Sequence, residues 1–153
     1  MLQFRKALES IAFGSLVANR EAYASAHADF AINFKLKNVL KRVHAQNPRA
    51  YPQPVIMTVT DVGKHIEGVK DGFLTRDEME FLHDRTGDVL HTWNPYKPGA
   101  REVDIQRPFS EWLARLQRLL DLHVIALLDG GLWLVQMNVM PEGRVHAFSC
   151  DPA

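Results

Sequence analysis

From Phe30 through Thr60 the chain has no acidic residue but carries Lys35, Lys37, Lys41, Arg42 and Arg49, a formal charge of +5. Cations in such a run suit phosphate contact: each one brought near a phosphate releases condensed counterions, and the affinity becomes salt-dependent. The next stretch, Asp61 to Val89, reverses the sign, with eight carboxylates against four cations. The five cations therefore have two competing uses, as a nucleic-acid contact or as a solvated helix face partly neutralised by its acidic neighbour.

Two local motifs lie in the acidic stretch. Short helices within Thr58 to Arg85, joined by a glycine-containing turn, would suggest a helix-turn-helix. The second of them, Arg76 to Arg85, offers four carboxylates against two arginines, the wrong balance for reading base edges and phosphates. The string Asp71 to Glu78 resembles the distal half of an EF-hand calcium loop, with Gly72 at the turn and Glu78 at the bidentate position. Its proximal half departs from that pattern, since Glu67 and Val69 would fill the first and third ligand positions. A turn followed by a capping box, Thr75-Arg76-Asp77-Glu78, accounts for the same residues structurally.

For acid–base chemistry the local pairings are His65 with Glu67, His83 with Asp84, and His91 near Asp88. None has a diagnostic spacing, and the chain has no His-Glu-x-x-His, cysteine pair, P-loop or Gly-x-Ser-x-Gly. No catalytic residue, metal ligand or cofactor is assigned on these grounds. An enzyme would need a nonlocal site, for which His83, His91 and Asp88 are the available groups. His123 and His146 fall in strands, where cross-strand packing uses them.

The elements that must position these groups follow from periodicity. Apolar Leu2, Phe4, Ala7, Leu8, Ile11, Ala12 and Leu16 predict a helix from Leu2 to about Ser25. From Asp29 the pattern is double: Phe30, Ile32, Phe34 and Leu36 alternate as in a strand, whereas Ile32, Leu36, Val39, Leu40 and Val43 keep helical spacing. Length favours a helix capped by Asp29 and stopped at Asn47-Pro48. Tyr51-Pro52-Gln53-Pro54 is a rigid, extended candidate boundary. Beyond it, Val55 to Val59 suits a strand, yet Thr58 or Thr60 could cap a helix over Asp61 to Ile66. The capping box starts a helix from Arg76 to about Arg85, with Gly87 expected to end it, and Asn94 to Gly99 should form an exposed loop.

The clearest pattern is C-terminal. Phe109, Trp112, Leu113, Leu116, Leu119 and Leu120 line one face of a helix, and three short strands follow: His123–Leu128, Leu132–Val139 and Arg144–Ser149. Asp129-Gly130-Gly131 and Pro141-Glu142-Gly143 supply the turns. The aromatics of this unit could stack nucleotides, but Leu132 to Val139 carries no cation to accompany them. A subunit contact through Leu132, Trp133, Leu134 and Val135 uses them better, because the strands are apolar on both faces.

The expected fold is α+β: N-terminal helices, a short middle helical region, and a C-terminal helix packed on a three-stranded antiparallel meander. Residues 1–50 form a helical segment and 51–153 an α+β region, together one compact domain. A length of 153 residues and 46% hydrophobic content allow a core without disulfides, and the single Cys150 fits a reducing cytosol. Zero net charge removes any global attraction to nucleic acid or anionic lipid, and no apolar run reaches bilayer length. The leading expectation is a cytoplasmic, non-enzymatic interaction or regulatory module that is homo-oligomeric or binds a protein partner. Nucleic-acid binding through the 35–49 cations is the alternative, and a small enzyme the third reading.

Overall fold

The computed structural model describes residues 1–20, 35–90, 102–139, 141 and 143–150. Helix α1, Leu2–Ala18, buries Phe4, Leu8, Ile11, Ala12 and Ser15, the three-and-four spacing of a single face. Helix α2, Leu36–Gln46, buries Leu36, Val39, Leu40 and Val43. Asn47 caps it, its amide donating to the Val43 carbonyl at 2.8 Å. The helical reading therefore holds from Leu36 onward, whereas the residues proposed as its first turns, including Asp29, lie outside the described part, as do residues 21–25 of the first predicted helix.

Helix α3, Arg76–Leu90, begins at the capping box: Thr75 Oγ1 accepts from the Glu78 amide at 3.3 Å, and Glu78 Oε2 accepts from the Thr75 amide at 3.0 Å. It runs through Gly87, where the sequence suggested an end. The reason is tertiary: a Cβ at position 87 would lie 3.0 Å from Arg5 Nη1, so the bare backbone there lets α1 come close. Helix α4, Phe109–Leu120, buries Trp112, Leu116 and Leu119. The four helices share one core with Ala50, Tyr51 and Leu74.

The sheet has five strands, two more than expected. Strands β1, Gln53–Thr60, and β2, Gly63–Gly68, form a hairpin, and β3, Leu122–Ala126, β4, Leu132–Val139, and β5, Arg144–Cys150, form the meander. The order is β2-β1-β3-β4-β5, antiparallel at each pairing. The additional strands, Gln53–Thr60 and Gly63–Gly68, include Thr58 and Thr60, which suit a strand as readily as a helix cap. The hairpin excludes the first helix of a helix-turn-helix. Its Asp61-Val62 turn is relieved by Gly63 at φ 143°, and the β3–β4 turn by Gly130 at φ 89°, both in the region glycine tolerates.

At the candidate boundary Tyr51, Pro52 and Pro54 are buried and Gln53 is exposed. Tyr51 is buried, donating its hydroxyl to the Leu74 carbonyl at 2.8 Å, and Pro54 is buried as the second residue of β1. Burial, and after it the Glu78 carboxylate, push the Tyr51 phenol above its ordinary range, only partly offset by Arg76. Two buried amides tie the helices to the sheet. Asn47 Nδ2 donates to the Ala126 carbonyl at 2.8 Å and to Asn19 Oδ1 at 3.2 Å, and Asn19 Oδ1 also accepts from the Leu128 amide at 3.1 Å.

Candidate interaction surface and polar groove

The β1–β2 hairpin joins the meander at one end of β1. Only Gln53 and Pro54 pair with β3, opposite Val124 and His123, so the rest of β1 and all of β2 project beyond the meander. The burial pattern follows this geometry: Pro54 and Val55 are buried, and every residue of β2 is exposed. Ile56, Val59, Val62 and Ile66 retain 57%, 69%, 99% and 41% of their accessible surface, the exposed large apolar residues of the ribbon. At the opposite edge all seven residues of β5 are exposed, Val145 at 55% and Phe148 at 50%. The His146 and Phe148 rings meet edge to face at 6.3 Å on one side of that strand.

The four residues nominated as an interface lie inside this arc. Leu134 is buried, and Leu132, Trp133 and Val135 are half-buried, because β3 and β5 flank β4 on both sides. Register places Val124, Leu134 and Phe148 on one face and Ile125, Trp133 and Ser149 on the other. The apolar alternation was legible in the sequence. That the most exposed apolar residues belong to the hairpin and β5 was not, since burial depends on which strands are central.

A concavity of about 480 Å³ lies among α1, the start of α2 and α3. Its wall is an interlock of Arg5, Glu9 and His83. Arg5 Nη1 donates to the His83 carbonyl at 2.7 Å, Arg5 Nε pairs with Glu9 Oε1 at 3.1 Å, and His83 Nε2 meets the same carboxylate oxygen at 3.0 Å. Lys35, Lys37, Asp84 and Asp88 complete the rim. Thus His83 and Asp88 of the enzyme reading share one groove, together with Glu9, which local sequence could not connect to a histidine 74 residues away. Among the described residues no serine, threonine or cysteine lines it. His91 lies outside the described residues, as does the Asn94–Gly99 loop.

Of the basic stretch, Lys35 and Lys37 border the groove that Asp84 and Asp88 also line, Lys41 is exposed one turn beyond Lys37 on α2, Arg49 is exposed after the helix, and Arg42 is half-buried. Glu78, the bidentate position of the EF-hand comparison, is occupied by protein: both its oxygens lie 2.9 Å from Arg115 Nη2. Among the described residues no group of three or more His, Cys, Asp or Glu side chains could hold a metal ion. None of the described helices is long and apolar enough to cross a membrane. The chain matches no protein-family model, no curated protein and no solved structure, and its functional reading therefore rests on this geometry.

Proposed function

We propose that this chain is a non-enzymatic protein-interaction module that assembles with copies of itself through the free surface of its sheet. The supporting observation is the projecting β1–β2 hairpin, whose Ile56, Val59, Val62 and Ile66 remain in contact with water in the isolated chain. Burying such residues against a partner recovers the free energy that exposure forfeits, about 25 cal/mol per Å² of apolar surface. Among the described residues no strand pairs with either end of the sheet, and an unpaired edge is a template for strand addition.

Two observations weigh against the other readings. Phosphate bound at Lys35 and Lys37 would meet the carboxylates of Asp84 and Asp88 across the same groove. The His83 ring and Glu9 are already hydrogen-bonded to each other, and among the described residues no serine, threonine or cysteine lines their groove. Light scattering after size exclusion, from about 1 to about 200 μM, tests the proposal. A mass that rises to a closed oligomer supports it, and a monomer across the whole range overturns self-assembly.

A further inference from the structure

The outer edge of β2 carries a hydrogen-bonding pattern that selects both a partner and a register. Val69 donates its amide to the Pro54 carbonyl at 2.9 Å, which fixes the phase of the β1–β2 ladder. Main-chain groups alternate sides along a strand, so His65 and Glu67 turn theirs toward β1, while Lys64, Ile66 and Gly68 turn theirs outward. Among the described residues no strand pairs with that outward side. The strand has no proline, and glycines stand at both ends, so no bulky side chain guards either end.

We propose that two copies of this chain join β2 to β2, antiparallel, about a two-fold axis passing between Ile66 and Ile66 of the partner subunit. This rests on the self-assembly reading above and names the strand and the register. A two-fold axis perpendicular to the sheet keeps each face on its own side, so only registers that place one residue opposite itself are allowed. Charge separates the candidates. Centring on Glu67 sets two carboxylates directly opposite each other. Centring on His65 opposes two imidazoles and leaves Glu67 facing Gly63. Centring on Ile66 places His65 opposite Glu67 of the partner subunit twice, and an imidazole N–H donates readily to a carboxylate.

The same register engages every outward main-chain group of the strand. Ile66 exchanges two bonds with Ile66 of the partner subunit, and Lys64 pairs with Gly68 of the partner subunit on each side, about six bonds in all. On one face Met57 and Ile66 continue into Ile66 and Met57 of the partner subunit, an apolar row across four strands, because Met57 already stands opposite Ile66 within the hairpin. On the other face each His65–Glu67 contact falls at a non-hydrogen-bonded position, where side chains approach most closely. The product is one continuous sheet spanning both subunits.

The test uses the full chain with Cys150→Ser, monitored by circular dichroism for folding. Ile66→Cys puts two thiols on the axis at a Cα separation of about 5.5 Å, within disulfide reach. Mild oxidation is expected to give a covalent dimer, and Val145→Cys on β5 is expected to give none. His65→Glu opposes two pairs of carboxylates and is expected to weaken dimerisation about tenfold. Adding Glu67→Lys to that variant restores opposite charges and is expected to restore the dimer, which a merely damaged hairpin would not do. If wild type dimerises but Ile66→Cys fails to crosslink and His65→Glu changes nothing, the β2 pairing is overturned while self-assembly stands. If wild type remains monomeric, both fall.

Discussion

Replacing Glu78 by alanine should be among the most damaging changes at a partly exposed position. The carboxylate closes the capping box of α3 through the Thr75 amide and at the same time binds Arg115 of α4, with side chains only 22% and 17% exposed. Losing the cap costs about 1 kcal/mol. Losing the pair strands a guanidinium whose Nε already lacks a partner, and in this partly wet setting adds about 1–2 kcal/mol. The sum, about 2–3 kcal/mol, corresponds to a fall of about 4–12 °C in the thermal midpoint for a domain of this size. Burial alone would raise the Glu78 pKa, but the Thr75 amide and Arg115 together outweigh it and hold the carboxyl below its ordinary 4.5. The unfolded chain therefore takes up this proton first on acidification. Stability from the group is complete above about 4.5 and is lost as pH falls through the lower folded value, so the variant should have a flatter acid limb. Thermal melts of wild type, Glu78→Ala, Arg115→Met and the double variant, at neutral pH and along an acid series, check both statements. A midpoint change under about 2 °C, or a double-mutant cycle additive within about 0.3 kcal/mol, would refute the reasoning.

Asn47→Ala should cost about 2–3 kcal/mol, because it deprives the buried Ala126 carbonyl and Asn19 side chain of their shared donor; urea denaturation reads the loss. Trp112→Phe removes the indole donor that reaches the Ile105 carbonyl at 2.8 Å, and a loss of about 1–2 kcal/mol is expected on the same assay. His123 predicts a pH effect: burial disfavours its charged ring, and the bond from Nδ1 to the Leu120 carbonyl offsets only part of this, leaving its pKa below 6.5. The stability of the neutral ring is complete above 6.5 and declines as pH drops from there through the folded value, so His123→Gln should melt with a shallower pH slope in that window.

What the sequence determined by itself was the periodic, locally encoded part. Helix α4 and the three strands after it were legible because a 3.6-residue apolar repeat passes directly into two-residue alternation with glycine turns between, and the start of α3 because a capping box is complete within four residues. Tertiary structure decided the rest. Thr58 and Thr60 fit a helix cap and a strand equally well, and only pairing with Gly63–Gly68 made them β1. Gly87 reads locally as a stop but serves as clearance for Arg5, a residue of another helix. The Glu9–His83 and Asn19–Asn47 contacts join positions far apart in the chain, and no spacing rule announces them. Exposure, greater in the hairpin than in β4, is set by strand order, and strand order arises from long-range pairing that local residue patterns do not encode.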